Sequence, residues 1–172
     1  MNLDDIPAGS LCVVDTNVLL YAEHGASLQA QRLLRRIGGR DLLGVLPQPV
    51  WQELSHKFMI AEAQMLGHIS RGNPARQLAS KPDVVKRLTL HRDKIKALAT
   101  LGLGFEPCTK ADLMEKAFEL QERHGLLTND SLIAVIALRI EADVLVSADT
   151  RFQAIKELQT YAPSDVQLPS IQ

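Results

Sequence analysis

The sequence predicts a single α/β domain with three layers: a mostly parallel central sheet of about four to five strands, with helices on both faces. Three observations carry this. Short apolar runs such as Leu11–Val14 and Val144–Val146 have no polar alternation, the pattern of strands buried on both faces. Helical periodicities separate these runs, so the strands are joined by crossover helices and lie parallel. The chain is 172 residues long and 46% hydrophobic, which suits one packed core and excludes general disorder.

The elements follow in order. Residues 1–10 are polar, contain Pro7 and Gly9, and form a lead-in. Leu11 to Asp15 is the first strand. Leu28 to Ile37 places Leu33, Leu34 and Ile37 on one helical face, and Gly38-Gly39 stops the helix. Leu42 to Leu46 is a second strand, ended by Pro47. Pro49 to about Leu66 is helical, with Val50, Leu54, Phe58 and Ala61 as its stripe. Arg71-Gly-Asn-Pro74 is a break, and residues 75–100 read as one or two helices. Phe105 to Thr109 is a weak third strand. Lys110 to His124 is a helix stopped by Gly125. Thr128 or Asn129 caps an all-apolar helix from Asp130 to about Glu141, which should be central. Val144 to Ser147 is the clearest late strand, Arg151 to Leu158 a short helix, and Val166 to Leu168 a last edge strand.

Charge is uneven. Between Arg71 and Lys96 eight basic residues face only Asp83 and Asp93, a local charge of +6; the net charge of −1 leaves −7 elsewhere. A basic helical elaboration at about 71–100 on an acidic body suits a polyanion, with Arg87, Arg92 and Lys94 as candidate contacts to it, although a solvated helical face would look the same. Cys12 and Cys108 read as small buried groups of a reduced, cytoplasmic protein. No leader pattern and no membrane-length apolar run is visible, and no Gly-rich phosphate loop. The five histidines lack zinc-ligand spacing. His56 and Trp51 read as surface or packing residues although they adjoin Glu53.

Four acids carry the functional expectation. Asp15 ends the first strand and Asp149 follows the Val144 strand. Asp130 opens a helix running back along the sheet, and Glu53 lies near the start of the helix after the second strand. All four fall at the carboxyl edge of a parallel sheet, where ligands of such folds bind. Each acid taken alone could simply cap or decorate a helix; only their convergence points to chemistry. Clustered carboxylates need a cation between them, and hard oxygen donors suit Mg²⁺ or Mn²⁺.

The motifs Val13-Val14-Asp15-Thr16-Asn17-Val18-Leu19-Leu20, Val50-Trp51-Gln52-Glu53-Leu54, Thr128-Asn129-Asp130-Ser131-Leu132-Ile133-Ala134 and Leu145-Val146-Ser147-Ala148-Asp149-Thr150-Arg151-Phe152 resemble, in order and spacing, those of PIN-domain nucleases. The first and last are the most specific. The resemblance implies a PIN fold and a metal-dependent endoribonuclease that hydrolyses RNA phosphodiesters, leaving 5′-phosphate and 3′-hydroxyl ends. Asp15, Glu53, Asp130 and Asp149 would then be the catalytic metal ligands, with Asn17 and Ser147 supporting them. VapC-like toxins are common small members, which implies an antitoxin partner; homodimers are also frequent in the family. The stretch between Glu53 and Asp130 is longer than in compact toxins, which weighs against the toxin label more than against the nuclease. Asp15-Thr16-Asn17 also resembles a haloacid-dehalogenase loop, but Asn17 stands where that chemistry needs a second Asp. The alternative is a non-catalytic PIN-fold module that binds RNA or acts as a scaffold.

Overall fold

A computed structural model describes residues 1–167. Five strands, β1 (Leu11–Val14), β2 (Leu43–Pro47), β3 (Gly104–Glu106), β4 (Val144–Val146) and β5 (Thr160–Tyr161), form one sheet in the order β3-β2-β1-β4-β5. Every neighbouring pair is parallel, so the expected α/β sheet is present and is wholly parallel. Cys12, Val13 and Val14 are all fully buried, as are Leu145 and Val146. Successive strand residues point to opposite faces, so both faces of the sheet are covered and the three-layer arrangement follows. Gly44 in β2 is needed for a close approach: a Cβ there would meet Ile37 at 2.9 Å.

The chain begins in the middle of the sheet. From β1 it moves outward through β2 and β3, then returns to the other side of β1 for β4 and β5. The direction of winding therefore reverses between β1 and β4, and a crevice opens beyond their carboxyl ends.

Helix α1 (Thr16–Glu23) follows β1 directly, with Asp15 as its N-cap, and α2 (Leu28–Gly38) leads to β2. Helix α3 (Gln48–Met65) follows β2. The stretch expected to hold one or two helices holds three: α4 (Pro74–Ala79), α5 (Pro82–Val85) and α6 (Leu90–Leu101). Pro82 keeps Lys81 out of helical geometry and so divides α4 from α5. Glu62 of α3 accepts from the backbone N–H groups of Thr89 and Leu90 and so fixes the start of α6. Ala63, Ile69, Leu78 and Leu88 form a small core of their own beneath this elaboration, separate from the main one.

Helix α7 spans Leu113–His124, starting three residues later than the periodicity suggests, after a turn in which Leu113 N–H donates to Lys110. Helix α8 spans Thr128–Arg139. Its N-cap is Leu127, not Thr128 or Asn129, and no side chain caps it. Asp130 instead occupies the first turn, where the helix dipole favours a negative charge. The expected helix from Arg151 is a 3₁₀ segment, Thr150–Ala154. Phe152 of this segment is buried, and so are Ile155, its extended C-cap, and Leu158 in the turn that follows. The last strand is Thr160–Tyr161 rather than Val166–Leu168: Val166 and Gln167 are irregular, and Leu168 lies outside the described residues. Backbone bonds from Leu145 N–H to Gln159 and from Ser147 N–H to Tyr161 place β5 directly after the 3₁₀ segment. No helix among the described residues is long and apolar enough to cross a membrane.

Candidate active site

The backbone of Asp15 continues the β1–β4 ladder, donating to Val146 O at 2.9 Å. This puts the Asp15 side chain at the mouth of the crevice, 5% exposed. Its Oδ1 accepts from Thr16 N–H at 2.6 Å. Its Oδ2 accepts from Asn17 Nδ2 and Ser147 Oγ, both at 2.6 Å. Asn17 also accepts from Ala148 N–H at 3.0 Å, and Ser147 Oγ accepts from Asp149 N–H at 3.0 Å. The two residues expected to support the acids thus tie the end of β1 to the turn after β4. Asp15 is the N-cap of α1 and also lines the cavity with the other three acids, so capping does not remove it from the candidate site.

Glu53 lies in the second turn of α3, whose start at Gln48 is one residue earlier than the sequence suggests. Its Oε2 accepts from Thr16 Oγ1 at 2.8 Å, and its Oε1 pairs with Lys57 Nζ at 3.2 Å. Asp130 reaches in from α8. Asp149 caps the 3₁₀ segment by accepting from Arg151 N–H at 2.9 Å. All four acids, with Thr16, Asn17, Tyr21, Lys57 and Arg151, line one open cavity of about 370 Å³.

The electrostatics follow from the crowding. Burial pushes the Asp15 carboxyl up to about 6, opposed by its bonds from Ser147 and Thr16 and reinforced by the charges of Asp130 and Glu53. Burial also raises Asp130, against the pull of Arg151, with Asp149 and Glu53 adding to the rise. Asp149 is lowered, chiefly by its hydrogen bonds from Arg151.

The four side chains share a cavity but not a focus: among the described residues, no three His, Cys, Asp or Glu groups are placed to close on one ion. Two cations share the cavity with them. Lys57 engages Glu53, and Arg151 engages both Asp130 and Asp149. Arg151 Nη2 lies 2.8 Å from Asp130 Oδ2, yet that buried oxygen accepts no hydrogen bond. The contact is a charge pair by distance that does not meet hydrogen-bond geometry, so the oxygen has no hydrogen-bond donor. Four carboxylates against two cations leave two negative charges. An all-oxygen donor set, an orphaned buried acceptor and a surplus of two charges fit a divalent ion.

Thr16, Lys57 and Arg151 are not singled out by the sequence. Lys57 stands four residues after Glu53, the helical spacing of an ion pair, and is the one a spacing argument could have found. His56 is exposed and does not line the cavity. Trp51 is 38% exposed rather than packed in the core, edge-on to Phe105 at 6.3 Å. Of the expected RNA contacts, Arg87 and Arg92 are exposed, whereas Lys94 is half-buried and pairs with Glu23 at 2.5 Å.

The sequence profile of the PIN domain matches residues 12–158, which contain all four acids. The chain belongs to the PIN domain family. Solved structures share the fold at low identity. VapBC2 from Rickettsia felis, bound to a DNA fragment from its promoter, is similar at 18% identity and a TM-score of 0.58, over 88% of this chain and 98% of that one. A toxin–antitoxin complex from Klebsiella pneumoniae is similar at 14% identity and a TM-score of 0.56, over 91% and 99%. VapBC-1 from nontypeable Haemophilus influenzae is similar at 17% identity and a TM-score of 0.52, over 88% and 97%. No curated protein matches the sequence. The β1–β4 crevice with its acids thus sits inside the region that makes this a PIN chain, and α4–α6 form an elaboration within the same region.

Proposed function

We propose that this PIN protein is a Mg²⁺- or Mn²⁺-dependent endoribonuclease, the toxin member of a VapC-like toxin–antitoxin pair acting in the cytoplasm. The observation that carries the reading is the cavity at the carboxyl edge, where acids from four distant segments meet with one buried oxygen left unpartnered. Its likeness in fold to chains from toxin–antitoxin complexes supports an antitoxin partner.

Asp15, Asp130 and Asp149 would hold the ion, with Glu53 joining directly or through water. When bound, such an ion supplies an activated water and neutralises charge on the phosphate oxygens. The chain's own residues prepare the place for it. Asn17 and Ser147 fix the Asp15 carboxylate, Thr16 aims Glu53, and the first turn of α8 offsets part of the cost of burying the Asp130 charge. No covalent protein intermediate is expected. The test is cleavage of mixed cellular RNA by the full-length chain in Mn²⁺, abolished by EDTA; a folded protein that leaves the RNA intact in Mn²⁺ refutes the reading.

The exposed charges of Arg87 and Arg92 would bind the RNA backbone. Lys94 is spent on Glu23 and contributes less. Arg87→Glu with Arg92→Glu is expected to weaken RNA binding in EDTA and to flatten its dependence on log salt by about one unit for each phosphate no longer neutralised. Filter binding from low to high salt measures it, and an unchanged slope removes these residues from the interface.

A further inference from the structure

Arg151 has the most unusual surroundings of any cation among the described residues. Its Nε donates to Asp149 Oδ1 at 3.0 Å and to Oδ2 at 2.9 Å, and its Nη2 reaches both Asp149 Oδ2 and, at 2.8 Å, Asp130 Oδ2. One guanidinium therefore spans two of the acids that a divalent ion would need. We propose that Arg151 is a built-in counter-cation: it holds Asp130 and Asp149 in the metal-free protein and competes with the divalent ion for them. The inference rests on the reading of this cavity as a divalent-ion site.

Three features support competition rather than permanent bracing. The acids do not close on any point while Arg151 is in place. The Arg151 side chain is 42% exposed, so it can swing into water without opening the core. The turn itself does not depend on that side chain. Phe152, the next residue, is fully buried, and the backbone N–H of Arg151 has its own bond to Asp149 Oδ1 at 2.9 Å. A permanent brace would be buried and fully hydrogen-bonded; this contact leaves Asp130 Oδ2 without a donor. Lys57 makes a weaker version of the same contact, touching Glu53 alone at 3.2 Å.

Competition has a direction opposite to that of a structural role. Any ion that binds must first break the arginine's pairs, and its affinity is reduced by what those pairs are worth. Removing the arginine should therefore tighten metal binding. A brace that helped shape the site would do the reverse.

The test is calorimetric titration of Mn²⁺ into the full-length wild type, Arg151→Gln and Arg151→Lys, at one pH and ionic strength. Arg151→Gln is expected to bind Mn²⁺ roughly tenfold tighter, the effect of no longer breaking two partly exposed ion pairs. Arg151→Lys, which cannot span both acids, should fall between it and the wild type. In EDTA the glutamine variant should melt below the wild type and should gain more from added Mn²⁺. Equal or weaker Mn²⁺ binding by a folded Arg151→Gln protein overturns the proposal. If that variant does not fold, Arg151→Lys decides: tighter binding supports competition, and unchanged binding overturns it. A wild type that takes up no Mn²⁺ at millimolar concentration overturns both this inference and the nuclease reading, whereas a wild type that binds Mn²⁺ with no response to Arg151 overturns only this one.

Discussion

Asp130→Asn is expected to lower Mn²⁺-supported RNA cleavage by at least about 100-fold, with no comparable loss of fold. The magnitude follows because even an outer partner of a metal site is commonly worth 10- to 100-fold, and Asp130 is assigned a direct role. The fold should survive because the Asp130 Oδ2 accepts no hydrogen bond that the substitution would break. An amide there adds N–H donors facing Arg151 and removes one of the charges that would attract an ion. Asp15→Asn should lose activity at least as severely, since its carboxylate is the most enclosed of the set. Single-turnover cleavage of a labelled RNA, alongside far-UV circular dichroism, measures both. Full activity in either variant would break the assignment of the acids.

The second large effect concerns stability without metal. The folded Asp15 carboxyl titrates at about 6, against 3.8 for its ordinary value. The folded protein therefore holds a proton between those values that the unfolded chain has released. Stability falls as pH rises through that window, and the full penalty is present above about pH 6. Asp15→Asn cannot ionise and escapes the penalty. In EDTA, the variant's stability relative to wild type is expected to rise by about 3 kcal/mol between pH 4 and pH 7, about two pKa units at roughly 1.36 kcal/mol each. The amide also disturbs the bonds from Asn17 and Ser147, but that adds a constant offset and leaves the slope unchanged. Urea unfolding at half-unit pH steps measures the difference, and a flat line across the range contradicts the raised pKa of Asp15.

These two expectations pull in opposite directions on one residue. Asp15 costs the metal-free protein stability at neutral pH because its charge is buried among other charges. The same burial and the same neighbours give it a fixed position and a strong attraction for a cation. A site arranged for binding is commonly one that an empty fold would be better without.

Much of this is legible in the sequence, for a physical reason. The runs Leu11–Val14 and Val144–Val146 are apolar at every position because both faces of the sheet are covered, so they stand out without an alternating pattern. Once they are parallel, the residues that follow them must share an edge, and Asp15, Ser147 and Asp149 come together by topology alone. Asp130 is placed by the same logic, through the antiparallel helix before β4. What is not legible depends on angles between side chains. Arg151 reads as an ordinary cation at the start of a short helix; its bridge to two acids is made from a 3₁₀ turn, Thr150–Ala154, that the sequence does not distinguish from an α-helical start. Strand β5 is two residues long and leaves too little pattern to find, while Val166 looks more strand-like than it is. Lys94 shows a further limit: a charge counted toward the basic segment is used up on Glu23 of a different helix.

The separate small core beneath α4 and α5 has a bearing on how such a chain can diversify. Because Ala63, Ile69, Leu78 and Leu88 pack on one another in a cluster apart from the main core, α4 and α5 have a local support of their own, joined to the crevice through α3, which carries both Ala63 and Glu53. Under the proposed function, a change in the exposed charges of this elaboration would alter how RNA is held, and α3 is the element through which such a change would reach Glu53.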